Sequence, residues 1–171
     1  FASALRKSMD KMLRVKWAKG RLRNVVSARI LPGTDVISGI EKICLESGIQ
    51  SGTFSVIGSL EKATFVLPVI KEAMKMGVGY GEPQTVSGPL EILSGKGFIS
   101  KDQESESGLF IHFHAIFSDA AGRIYGGHFL AGGSPVLLTL DVVIMEFDEI
   151  SLSREDDPAI GIKVITPAGK K

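Results

Sequence analysis

The stretch "GLFIHFHAIFSDAAGRIYGGHFL", residues 108–130, decides the fold. Successive side chains of a strand point to opposite faces, so Leu109, Ile111, Phe113, Ala115 and Phe117 share one side. All five are apolar, and that side is the predicted core face. Phe110, His112, His114 and Ile116 share the other. "SDAAGR" follows, with Asp119 at the first turn position and Gly122 at the last. This is the pattern of a three-residue hairpin loop, a type I turn closed by a glycine in the left-handed region. With 120–122 as the loop, Asp119 faces Arg123 and His114 faces His128. Opposed side chains of an antiparallel pair have Cβ atoms about 4.5–5.5 Å apart. A loop one residue shorter or longer would turn His128 to the other face, so the glycine position selects the register.

The chain has three histidines, and this hairpin carries all of them. Three imidazoles on one face can present three nitrogens to one ion. Zinc is the first expectation, since three histidines plus an open position is a recurring zinc arrangement. Nickel, cobalt and ferrous iron also suit imidazole. In the apolar segment 136–147, the even positions are apolar as far as Glu146, whereas the odd side shows Thr139 and Asp141. Asp141 is a candidate fourth ligand, or a partner that orients one of the imidazoles, and Glu91 in "PLEIL" is another. A histidine cluster can also serve as hydrogen-bonded surface or as a subunit contact.

Working outward, "NVVSARI" (24–30) reads as a strand, and "LPGTD" as a turn with Thr34 or Asp35 as helix cap. Val36, Ile37, Ile40, Ile43 and Cys44 form one apolar helical face, which Gly48 ends. Residues 52–67 predict one or two strands broken near Gly58-Ser59, and 89–100 a strand kinked near Gly95. Residues 68–89 read mostly as loop, and 101–108 as a polar loop. The segments 109–117, 124–131 and 136–147 follow. "IGIKVI" in the tail predicts an edge strand or a segment packed on a partner. Strands outnumber helices and short turns join the later ones, so the fold class is α+β, mainly antiparallel sheet with a packed helix.

A chain of 171 residues is about one domain, and 44% apolar with 23% charged residues separates it from disordered chains. Its longest apolar runs fall short of the roughly 18 residues of a membrane span. The single cysteine, Cys44, lies on the apolar helical face and reads as a buried, inert thiol. A reducing, cytoplasmic setting is expected. Residues 1–23 carry eight basic residues against Asp10, a charge of +7, which leaves −6 on the rest. A basic segment on an acidic body makes Arg14, Lys16, Lys19, Arg21 and Arg23 candidate nucleic-acid contacts. Leu5, Met9, Met12, Leu13 and Trp17 recur there at helical spacing. The division expected is a basic segment 1–23, a domain 24–150, and a tail 151–171 packed on the domain or a neighbouring subunit.

"HFHAIFSDAAGRIYGGHFLAGGSPVLLTLDVVI" (112–144) resembles the signature of the prokaryotic plants-and-prokaryotes conserved (PPC) domains: H-x-H, a D-x-x-G turn, G-G-H-L, then T-x-E and a V-V-I strand. "RILPGTDVISGIEKICLESGIQSGTFSVIGSL" (29–60) and "LEILSGKGFIS" (90–100) are similar to the family's first half. The resemblance spans 24–150. It implies an antiparallel sheet with a helix against it, assembled as a homotrimer, in a family whose prokaryotic members are described as candidate DNA-binding proteins. The fold is also similar to that of acetolactate decarboxylase, where three histidines hold a zinc. This likeness implies His112, His114 and His128 as ligands, and Asp141 stands where the family has glutamate.

Three functions follow as expectations: a metal centre on a trimer, DNA binding through the basic segment, or a non-catalytic interaction module. No glycine-rich phosphate loop is visible. No histidine is left over to pair with a serine or cysteine nucleophile.

Overall fold

The computed structural model describes residues 15–170. The chain is mostly β. Strands β1 (Leu22–Ile30), β2 (Gly52–Val66), β3 (Pro68–Ile70), β4 (Val78–Tyr80), β5 (Gln84–Lys101) and β6 (Leu109–Asp119) are followed by β7 (Ile124–Phe129), β8 (Val136–Phe147), β9 (Ile150–Asp157) and β10 (Ile162–Gly169). Among the described residues there is one helix, α1 (Val36–Ser47), between β1 and β2. No helix among the described residues is long and apolar enough to cross a membrane.

Eight strands form one sheet in the order β1-β8-β2-β7-β6-β5-β9-β10, and β2 also pairs with β5. The sheet therefore curls until β2, β5, β6 and β7 close a ring. The closure depends on Gly127, where a Cβ would stand 2.6 Å from the Phe65 ring and 2.8 Å from the Val66 carbonyl oxygen. Without a side chain at 127, β7 reaches the end of β2, and Val66 pairs with His128.

The odd side of β6 is the core face. Leu109, Ile111, Phe113, Ala115 and Phe117 are all buried. Phe113 packs against Phe54 and Phe129 at ring-centroid distances of 5.6 and 4.8 Å. Phe65 meets Phe117 edge-on at 5.5 Å. Such pairs add about 0.5–1.5 kcal/mol each beyond area burial.

Helix α1 covers this core with Val36, Ile37, Ile40 and Cys44. Its cap is Asp35, not Thr34: Oδ1 accepts from the Ser38 amide and Oδ2 from the Ser134 amide. One carboxylate thus starts the helix and ties it to the turn before β8. Gly48 ends the helix in the left-handed region at φ 71°. Burial, then the neighbouring Glu41 charge, pushes the Cys44 thiol up to about 12, so it stays protonated and unreactive.

One expectation changes. Residues 68–89 are not mostly loop, because β3 and β4 form a small hairpin and β5 begins at Gln84. Of the one or two strands expected over 52–67, the structure forms one, β2, with register shifts against β5 between Val56 and Gly58 and between Leu60 and Lys62. Residues 150–169 form a hairpin that joins the sheet beside the end of β5, where Lys101 meets Ser153.

Candidate metal centre

The site is built on the β6–β7 turn. Gly122 sits at φ 76° and its amide donates to the Asp119 carbonyl oxygen. The Asp119 carboxylate accepts from the amides of Ala121 and Arg123 and from Arg123 Nε at 2.6 Å. Those bonds hold its pKa below the usual carboxylate range. The loop is therefore three residues long, and His114 stands directly across from His128. His112 lies two residues along on the same face.

The three rings pack around a common point, with centroids 4.9 to 5.0 Å apart. His114 Nε2 lies 3.0 Å from His112 Nε2 and 3.2 Å from His128 Nδ1. Two nitrogens bound to one tetrahedral zinc at ordinary bond lengths are about 3.3 Å apart. The spacing thus fits a single ion, and one nitrogen from each ring lies within 4.8 Å of the other two.

The rings are held neutral. Desolvation comes first for all three, and it lowers the pKa of each. For His112 the neighbouring His114 and the Arg154 cation add to it. His128 falls furthest, to about 4, through burial, then His112, His114 and Arg154. A neutral imidazole offers the lone pair that a metal takes.

Tyr80 and Arg154, which the sequence does not join to the hairpin, stand near the rings together with Phe110. Tyr80 stacks on His128 at 4.9 Å. Phe110 lies 5.9 Å from His112, and the Arg154 guanidinium sits 4.2 Å above Phe110. Arg154 is anchored by Asp102, a buried carboxylate 2.8 Å away. Phe110 was visible as a neighbour on the histidine face, but Tyr80 lay in the segment read as loop. Arg154 comes from the tail, and no local pattern joins it to the hairpin.

Asp141 and Glu91 do not belong to the cluster. Asp141 lies in β8 opposite Arg29 and Ile57, and Glu91 lies in β5 opposite Ser59 and Ser118. Of the basic residues, Arg14 lies outside the described residues. Lys16 pairs with Asp157 at 3.8 Å, Arg21 with Glu149 at 2.5 Å, and Arg23 with Glu146 at 3.9 Å. Lys19 is exposed. Exposed pairs such as Arg21 with Glu149 contribute at most about 1 kcal/mol, and the three pairs tie residues 16–23 to carboxylates of the body.

Residues 18–148 match the model of the Plants and Prokaryotes Conserved (PCC) domain. A bifunctional protein GlmU from Synechococcus sp. strain JA-3-3Ab is 33% identical over 143 residues. The match covers 83% of this chain and only 20% of that relative, so the chain spans about a fifth of its length. Among solved structures, a metal-containing protein from Archaeoglobus fulgidus aligns with a TM-score of 0.72 at 24% identity, covering 90% of this chain and 99% of the other. A PPC protein from Pyrococcus horikoshii aligns with 0.71 at 16%, covering 88% and 97%. A candidate DNA-binding protein from Bacteroides thetaiotaomicron aligns with 0.67 at 20%, covering 85% and 96%. Fold, hairpin signature and family match agree: the chain belongs to the Plants and Prokaryotes Conserved domain family.

Proposed function

We propose that this chain is a metal-binding protein in which His112, His114 and His128 hold one divalent transition ion, zinc first among them, within a homotrimer. The convergence of three neutral imidazole nitrogens from one β-hairpin carries the reading. Three protein ligands leave a coordination position for water or substrate. An ion bound there would supply Lewis-acid polarisation or activation of water. The metal-containing relative from Archaeoglobus supports the assignment.

Elemental analysis of untagged protein after exposure to zinc tests it. About one zinc per chain is expected, and a His112→Ala, His114→Ala double variant should retain none. A metal-free wild type would end the proposal. Protons compete only where the imidazoles accept them, and their pKa values lie below the ordinary 6.5 or so. Affinity should therefore be flat from about pH 8 to 6.5 and fall as the pH drops toward 4, where His128 titrates.

DNA contact through the basic segment is the second reading, favoured by the candidate DNA-binding relative. Contacts with phosphate release counterions, so such binding weakens steeply with salt. The reading expects that removing residues 1–23 abolishes a salt-sensitive gel shift. The pairing of Lys16, Arg21 and Arg23 with body carboxylates weighs against it.

A further inference from the structure

Beside the histidines runs a groove of about 960 Å³, bounded by the N-terminal segment, β5 to β7, and the β9–β10 hairpin. Drug-sized ligands occupy spaces of roughly 300–1,000 Å³. Phe98, Phe110, Leu130, Leu152 and Ile165 give it apolar walls, and His112 and His128 form part of its lining. The other ionisable groups in the lining are Lys16, Tyr80, Arg154 and Lys163, with no aspartate or glutamate among them.

The three cations are anchored from outside the groove. Asp157 pairs with Lys16, Asp102 with Arg154 and Glu104 with Lys163. Arg154 uses Nη1 on Asp102, whereas its Nε is buried without a hydrogen-bond partner. Only one edge of the guanidinium is thus engaged by the protein, and its remaining donors are open to a further partner. Guanidinium, Phe110 and His112 follow one another in contact, so the cation and the ligand cluster are separated by one aromatic ring.

We propose that the groove binds a small amphipathic carboxylate. Its carboxylate is held by Arg154, and its apolar body runs over Phe110 toward His112 and His128. This deepens the metal reading and rests on it only for the role of the histidine end. An apolar trough whose fixed charges are all positive selects against amines, and a guanidinium is suited to a carboxylate by its planar fork of donors.

Octanoate is the probe, with octylamine and octan-1-ol as controls of similar length, measured by calorimetry on metal-free protein. Octanoate should bind at least tenfold more tightly than either control. An Asp102→Asn, Arg154→Leu pair removes both members of the ion pair together, leaving no unpartnered buried charge, and its melting temperature reports folding. That variant should bind octanoate at least tenfold more weakly than wild type. His114 does not line the groove, so His114→Ala should lose zinc and keep octanoate. Equal binding of octanol, unchanged binding by the double variant, or no binding at all would overturn the proposal; the last is expected if a second copy of the chain covers the groove. Octanoate binding to protein that takes up no zinc would defeat the metal reading alone.

Discussion

Replacing His114 by alanine should weaken zinc binding by at least about 100-fold, since disturbing the partners of metal ligands already costs 10–100-fold. His114 is the middle member of the set. Its Nε2 stands 3.0 Å from one partner nitrogen and 3.2 Å from the other, so its loss leaves two imidazoles that no longer enclose a point. The side chain is exposed on the outer face of β6, and no core contact goes with it. The melting temperature should therefore stay within a few degrees of wild type while a chelator competition titration records the loss. Asp141→Asn is the control, expected to leave zinc affinity within about twofold because Asp141 lies outside the cluster. If His114→Ala binds zinc like the wild type, the three nitrogens are not a ligand set.

Gly97→Ala should destabilise the protein by about 3 kcal/mol or more, at the upper end of overpacking costs. A Cβ at 97 would stand 2.1 Å from the His112 carbonyl oxygen and 2.3 Å from the Phe54 ring. A ring can tilt, but the carbonyl belongs to the ladder in which Gly97 pairs with Phe113. Relief requires β6 to move away from β5, and β6 carries two of the histidines. Urea unfolding should show the lost stability, and the same protein should lose zinc affinity. Gly169→Ala serves as comparison, since a Cβ there meets nothing within 4 Å. Wild-type stability in Gly97→Ala would mean that β5 and β6 are not packed in this way.

What could be read from the amino acids alone was short in range. Alternation along 109–117 marks the core face, and the offset between Asp119 and Gly122 sets the register, so the sequence alone groups the three histidines. Both signals act within a dozen residues. The closure of the ring is different, because it depends on missing side chains at Gly97 and Gly127, and a glycine in a strand does not say which neighbour it admits. Tyr80 reaches His128 and Arg154 reaches Phe110 from distant strands, and only tertiary placement brings them there. The carboxylates illustrate the converse. Asp141 and Glu91 had suitable chemistry, but both are exposed residues in other parts of the sheet. The basic segment has the composition of a nucleic-acid contact, whereas three of its described cations, Lys16, Arg21 and Arg23, pair with Asp157, Glu149 and Glu146 of the body.

Because β6 and β7 belong to a ring that β2 closes, the backbone holds the three imidazoles together without help from an ion. Uptake of the proposed ion would then cost little ordering entropy, and the coordination energy would go into affinity instead of into folding the chain around its cargo.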